Sequence, residues 1–159
     1  MLFVVAWPIL SEADDIALRR LRRQYHPREA DLIGPHFTLV FGEPADREPA
    51  LRDAVAAIDR RPFWFLIDRI ARNGLHLFAE PSDGAAELSA LYDTLNPTPT
   101  QPFEPHLTLG HFGSAAEAEQ VARIVGRQHL PIHGRVEELA LLKRTDDGLD
   151  TLLTVRLGA

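Results

Sequence analysis

The sequence predicts an α+β fold in which antiparallel or mixed sheets are flanked by helices. Strand-like runs rich in Val, Ile and Phe alternate with amphipathic helical segments along the 159 residues. Two turn signals, Asn73-Gly74 and Asp146-Asp147-Gly148, join neighbouring strands as hairpins. Strands joined by hairpins and accompanied by helices are typical of the α+β class.

The first half of the chain is predicted to run strand, helix, strand, helix, strand. Ser11 is a suitable N-cap, and the acidic first turn after it favours a helix start. The predicted elements are a strand at 2–9, a helix from Ser11 to about 26, a strand at 35–41, a helix at 47–60 and a strand at 63–70.

The second half repeats this order of elements. The predicted elements are a strand at 75–79, a helix at 84–95, a strand at 105–112, a helix at 114–127, a strand at 132–144 and a last strand containing TLLTVRL. The repeated order indicates an internal duplication. We therefore predict a single domain over residues 1–159, built from two pseudo-symmetric lobes.

Composition limits the possible functions. The chain carries a net charge of −6, which argues against a protein that coats long nucleic acids through many phosphate contacts. It has no apolar run of about 20 residues, as a membrane helix requires, and its apolar N-terminus lacks the basic region of a signal peptide. The absence of cysteine excludes thiolate catalysis and cysteine-based zinc sites. We expect a cytoplasmic monomer that contacts no membrane and needs no cofactor.

The pentapeptide Pro-His-x-Thr-Leu occurs twice, within the apolar runs PHFTLVF and PHLTLGHF that begin at Pro35 and Pro105. Alternate residues of a strand share a face. His36 and Thr38 therefore point to one side of their strand, and His106 and Thr108 do the same in theirs. If the two halves are related by a pseudo-two-fold axis, the four polar side chains converge on one tetrahedral anion.

These residue types are suited to acid–base chemistry on a phosphate. Imidazole has an ordinary pKa of about 6.5, so one histidine can take a proton from water while the other gives one to a departing ribose oxygen. Thr38 and Thr108 can donate hydroxyl hydrogen bonds to the phosphoryl oxygens. A 2′,3′-cyclic phosphate suits in-line attack, and the scheme requires no metal. The sequence does not assign the base and the acid between His36 and His106.

The tetrapeptides HFTL and HLTL, about 70 residues apart in a duplicated scaffold, resemble the 2H phosphoesterase superfamily. The resemblance covers essentially the whole chain and is strongest to the 2′-5′ RNA ligase-like proteins, also called RNA 2′,3′-cyclic phosphodiesterases. It implies a bilobal fold whose two histidines face each other in a central cleft. It also implies hydrolysis of 2′,3′-cyclic phosphates, on RNA 3′ ends or small nucleotides, to 2′-phosphates.

Four further residues are weaker candidates for the site. By the same resemblance, Phe41 stands where the family often has an aromatic residue beside the nucleotide base, and His111 stands where it often has an arginine. Strict strand alternation would turn both away from the cleft, so this role requires the strand to end or bulge there. Lys143 and Arg144, at the end of a late strand, are candidate cations at the cleft rim.

Several alternatives remain open at this stage. His36 and His106 could be buried histidines bonded to the backbone. A zinc site is disfavoured because His106 and His111 would lie on opposite strand faces. Without turnover the same cleft could serve as a binding module for an RNA end or nucleotide, and another enzyme on the scaffold could hydrolyse or ligate 2′-5′ linkages.

The remaining polar and aromatic residues have predominantly structural interpretations. The arginines between Arg19 and Arg23 are interpreted as a solvated helix face rather than an RNA-binding edge. His26 and His76 are assigned surface or structural roles, and Trp7 and Trp64 are predicted to lie in the core.

Overall fold

The computed structural model describes residues 1–158 and confirms the α+β class. The strands are β1 (Leu2–Leu10), β2 (Phe37–Glu43), β3 (Phe63–Asn73), β4 (His76–Pro81), β5 (Leu107–His111), β6 (Ile132–Thr145) and β7 (Gly148–Arg156). The helices are α1 (Glu12–Tyr25), α2 (Pro27–Leu32), α3 (Glu48–Ala56), which follows a 3-10 turn, α4 (Ala85–Leu95) and α5 (Ala115–His129). None of these helices is long and apolar enough to cross a membrane.

All strand pairings in the described chain are antiparallel. The strand order is β1-β2-β5-β4-β3-β6-β7, and β1 also pairs with β6. The pairings therefore form a closed circuit of six strands, to which β7 is added alongside β6. Four pairings connect the first half of the chain to the second: β1 with β6, β2 with β5, β3 with β4 and β3 with β6. The assignment of two pseudo-symmetric lobes within one domain stays a prediction.

Local sequence signals account for most element boundaries. Ser11 and Ser114 each cap a helix by accepting a hydrogen bond from the backbone N–H three residues on. The Asn73-Gly74 turn closes the β3–β4 hairpin, with Gly74 at a φ of 59° that favours glycine. The six-residue α2 was not predicted, because it is too short to show helical periodicity, although it begins at a proline as helices often do.

Each half contributes a helix that contacts the motif strand of the other half. Helix α1 packs against β5, and α4 packs against β2. The first contact depends on Gly110, since a Cβ there would lie 2.6 Å from the Cβ of Tyr25. At the second contact, the Asn96 side-chain amide donates to the Leu39 carbonyl at 2.9 Å and to the Tyr92 carbonyl at 2.8 Å. The helices thereby hold both motif strands in place.

The apolar face of the motif strands lies in the main core. Phe37, Leu39, Leu107 and Leu109 are all 3% exposed or less. Burying a side chain of this size contributes about 1.5–3 kcal/mol to stability. Since these residues alternate with His and Thr, their burial fixes which way the polar face points.

Both tryptophans were predicted to lie in the core, but neither is fully buried. Trp64 is 67% exposed, and the Arg135 guanidinium lies 5.2 Å from its ring centroid. Its neighbour Phe65 points into the core, so strand alternation directs Trp64 outward. Trp7 is half-buried and contacts a motif histidine.

Candidate active site

The two motifs face each other because β2 and β5 are neighbours. Phe37 is the register partner of Leu107. One residue to either side, antiparallel pairing sets His36 opposite Thr108 and Thr38 opposite His106. The two histidines are therefore diagonal neighbours, with backbones about 7–8 Å apart.

All four polar side chains line one cleft of about 580 Å³. The opposite faces of the same strands are buried in the core, as strand alternation requires. A smaller group of buried residues supports the cleft beside β1 and β6: Val5, Ile33, Ala140 and Leu142. The predicted convergence of the two polar faces on one cavity is thus present in the fold.

The two imidazoles are oriented by the same local hydrogen bond. Nδ1 of His36 lies 2.8 Å from the Gly34 carbonyl, and Nδ1 of His106 lies 2.7 Å from the Glu104 carbonyl. A carbonyl oxygen can only accept, so Nδ1 carries the hydrogen in both rings. Nε2 is consequently the nitrogen left for chemistry in each histidine.

The prolines of the motif explain this shared geometry. Pro35 and Pro105 each lie between the histidine and the carbonyl that it contacts. Proline fixes its own φ and restricts the residue before it to extended conformations. The carbonyl two residues before the histidine is therefore held in a similar position in both copies.

The aromatic neighbours of the two imidazoles differ. The Phe78 ring stacks on His106 with centroids 3.7 Å apart and an interplanar angle of 15°. Trp7 meets His36 edge-on, with centroids 6.3 Å apart at 74°. Phe78 is the register partner of Thr108 on β4, which places its ring on the cleft face. The sequence prediction had not included Phe78.

Burial lowers the pKa of both histidines, and charged neighbours then distinguish them. The positive charges of Arg22 and His106 further lower the pKa of His36, against the hydrogen bond to Gly34 and the carboxylate of Glu29. For His106, burial lowers the pKa and His76 lowers it further, whereas the backbone hydrogen bond and the carboxylates of Glu80 and Glu104 favour the imidazolium.

Phe41 reaches the cleft through a β-bulge. The β1–β2 register shifts between Leu2 and Val4, and Gly42 adopts a φ of 59° beside this irregularity. Phe41 is 57% exposed and lines the cleft. The bulge supplies the departure from alternation that the predicted role required.

His111 and Lys143 do not line the cleft, whereas Arg144 does. A bulge between β4 and β5 makes His111 the register partner of His76, and the two ring centroids lie 4.6 Å apart. Of the two, only His76 lines the cavity. Lys143 instead lies 3.5 Å from a carboxylate oxygen of Glu48.

The structure adds a group of residues at one end of the cleft that sequence analysis had assigned elsewhere. Arg22, His26 and His76 all line the cavity. Arg22 is 2% exposed, so the solvated-face interpretation of its cluster is wrong at this position. Its spacing was the available signal: it lies four residues after Leu18 and three before Tyr25, on the apolar stripe of α1.

Within residues 1–158, no group of three or more His, Cys, Asp or Glu side chains is arranged to hold a metal ion.

Solved structures with the same fold include E. coli LigT in complexes with phosphate and with nucleotides. E. coli LigT complexed with phosphate has a TM-score of 0.69 at 20% identity, over 99% of this chain and 97% of that one. E. coli LigT complexed with 3′-AMP has a TM-score of 0.68 at 19% identity, over 99% and 98%. A protein described as a phosphoesterase has a TM-score of 0.65 at 20% identity, over 99% and 98%.

Sequence comparisons identify the family. A comparison with curated proteins gave no match. The family model of the 2′-5′ RNA ligase superfamily matches residues 10–148, which include both His-x-Thr motifs. The resemblance drawn from the two motifs is thereby confirmed, and the chain belongs to the 2′-5′ RNA ligase superfamily of 2H phosphoesterases.

Proposed function

We propose that this protein is a metal-independent phosphodiesterase that opens 2′,3′-cyclic phosphates of RNA ends or nucleotides to 2′-phosphates. One observation carries the proposal: two imidazoles, each with Nδ1 tied to a backbone carbonyl, share a single cleft with two threonines. The complexes of LigT with phosphate and 3′-AMP support a nucleotide phosphate as the ligand class.

In the proposed reaction, Nε2 of one neutral histidine takes a proton from water as the water oxygen bonds to phosphorus. The P–O3′ bond breaks, and the leaving oxygen receives a proton from Nε2 of the other, protonated histidine. Water and the cyclic phosphate thus become a 2′-phosphate and a 3′-hydroxyl. Thr38 and Thr108 donate hydrogen bonds to the non-bridging oxygens, where negative charge is concentrated.

The charged surroundings favour His36 as the base and His106 as the acid. Arg22 favours the neutral form of His36, which is the form that accepts a proton. Glu80 and Glu104 favour the protonated form of His106, and stacking on Phe78 adds a cation–π contribution. The two histidines act as one unit, so these roles describe the dominant protonation state of the pair.

The direct test is hydrolysis of adenosine 2′,3′-cyclic phosphate in EDTA, with the product identified by chromatography. We expect 2′-AMP to form at the same rate with and without the chelator. Activity that appears only after a divalent metal is added would exclude the mechanism. Tight binding of the cyclic nucleotide without any product would favour a binding module instead.

Ligation through a 2′-5′ linkage is a second candidate, favoured by the family to which the chain belongs. In this reaction the 5′-hydroxyl of another RNA replaces water as the nucleophile, and the same two histidines move the protons. A panel containing a cyclic phosphate end with and without a 5′-hydroxyl RNA separates the two activities by the size of the product.

A further inference from the structure

The end of the cleft beside α1 contains buried nitrogen atoms without hydrogen-bond partners. They are Nε and Nη2 of Arg22 and Nδ1 of His26. Within residues 1–158, Arg135 Nε is also without a hydrogen bond, but it lies 2.7 Å from a carboxylate oxygen of Glu137. Leaving a buried donor without an acceptor costs about 1–3 kcal/mol, and more for a charged group.

The nitrogen atoms of Arg22 and His26 lie together at the C-terminal end of α1. Arg22 and His26 are four residues apart, at the C-terminal end of α1, and both line the cleft. The guanidinium is held in place by one hydrogen bond, from Nη1 to the Ile33 carbonyl at 2.6 Å. Arg22 therefore presents a fixed charge with two donor nitrogens, Nε and Nη2, still unused.

His76 on β4 belongs to the same group and also lines the cleft. Its ring centroid lies 6.3 Å from that of His26. His76 precedes Phe78 by two residues on the same strand face, and Phe78 stacks on His106. His76 consequently lies one strand repeat away from Phe78, the register partner of Thr108, and therefore beside the His-x-Thr pairs.

We propose that Arg22, His26 and His76 form a second phosphate subsite, which binds the 5′-phosphate of the nucleotide that carries the cyclic phosphate. In an RNA chain that group is the last internucleotide phosphate. The inference rests on the proposed function and specifies its substrate class. RNA ends and 5′-phosphorylated nucleotides are bound in preference to nucleoside 2′,3′-cyclic phosphates that lack a 5′-phosphate. An arginine fork suits a phosphate because its donors match two oxygens at once.

One acidic residue shares this end of the cleft. Glu29 on α2 lines the cavity, and its carboxylate favours the charged forms of Arg22 and His26. It makes no hydrogen bond to Nε or Nη2 of Arg22, so it does not occupy these free donors. Its negative charge repels an incoming phosphate. Neutralising Glu29 should therefore raise the affinity for the 5′-phosphate, whereas removing the charge of Arg22 should lower it.

The test compares two ligands by calorimetry, adenosine 3′,5′-bisphosphate and adenosine 3′-monophosphate, which differ only in the 5′-phosphate. We expect the unmodified protein to bind the bisphosphate more tightly. Arg22→Met keeps the volume of the buried side chain and should reduce the ratio of the two affinities by about 10- to 100-fold, as expected for hydrogen bonds to a charged group. Arg20→Met, on the exposed face of the same helix, should leave the ratio unchanged.

Two further variants keep the test decisive if Arg22→Met folds poorly. His26→Gln should reduce the same ratio, and Glu29→Gln should raise it by about 2- to 5-fold, as for a partly exposed charge pair. A dinucleotide with a 3′-phosphate should follow the bisphosphate, since its internucleotide phosphate occupies the same position.

If the unmodified protein bound the bisphosphate and the monophosphate with equal affinity, the inference would be overturned. An equal loss of affinity for both ligands in Arg22→Met would also overturn it, because this would place the guanidinium on the reacting phosphate or in the fold alone. The comparison measures binding without turnover. A protein that hydrolyses the cyclic phosphate but shows no preference would refute the subsite only, and a preference without hydrolysis would refute the proposed activity only.

Discussion

The two His-x-Thr copies have the same local geometry in different surroundings. Both histidines donate from Nδ1 to the carbonyl two residues earlier, at 2.8 and 2.7 Å. The first has Trp7 at its edge and is influenced by Arg22. The second is stacked on Phe78 and is influenced by two carboxylates. A duplicated peptide thus presents Nε2 to the cleft twice, while unrelated neighbours give the two rings different electrostatic surroundings.

The largest effect should come from removing either imidazole. His36→Gln and His106→Gln are each expected to slow hydrolysis of adenosine 2′,3′-cyclic phosphate by about 10²–10⁴-fold, the usual contribution of a general acid or base. With bis(p-nitrophenyl) phosphate, whose leaving group needs no proton, His106→Gln should lose much less activity than His36→Gln. Steady-state rates on both esters measure this difference.

His133→Gln, an exposed position on β6, is the matched control and should keep full activity on both esters. Equal losses on the activated ester would remove the distinction between the two copies. A larger loss for His106→Gln would reverse the assigned roles.

The threonines should respond more weakly and more equally. Thr38→Val and Thr108→Val keep the side-chain shape and remove one donor to the phosphate. Each should reduce kcat/KM by about 10- to 100-fold, the range for a hydrogen bond to a charged group. Thr151→Val, exposed on β7, serves as the control. A loss confined to one threonine would show that the phosphate is not bound symmetrically between the copies.

The aromatic neighbours should have a smaller and unequal influence. Phe78→Leu removes the ring that stacks on His106 and should lower kcat by about 2- to 10-fold, the range for an aromatic pair. The pKa of His106 should fall, because the face of an aromatic ring favours a cation. Trp7→Leu, at the more distant edge contact, should change kcat less. If Trp7→Leu had the greater effect, the stack would not be what distinguishes His106.

The smallest expected effect is a displacement of the pH profile. Burial lowers the pKa of His36 and of His106 below the ordinary value of about 6.5, so the free protein loses its protonated acid as the pH rises through that lowered pKa. The optimum of kcat/KM should therefore lie on the acidic side of 6.5. A bound phosphate anion stabilises imidazolium, so the alkaline limb of kcat should lie at higher pH than that of kcat/KM. If the alkaline limbs of kcat and kcat/KM coincided, the bound phosphate would not be stabilising the imidazolium.

The strand and helix pattern was predictable because local signals determine it. The polar face of each motif followed from strand alternation, which the burial of Phe37 and Leu107 supports. The positions of Phe41 and His111 were harder, since both depend on bulges that appear only when a strand is paired with its neighbour. Lys143 was misplaced as a rim cation because its partner, Glu48, lies 95 residues away in the sequence.

The sequence by itself determined the α+β class, the duplicated motif and the polar face of each motif strand, because these features depend on a few neighbouring residues. Only the tertiary structure decided that β2 and β5 pair at Phe37 and Leu107, that Phe78 stacks on His106 and that Arg22 is buried at the cleft. Such contacts join residues distant in the chain, and their energies arise from burial and charge in the folded molecule. The electrostatic difference between the two histidines therefore cannot be deduced from the motif that they share.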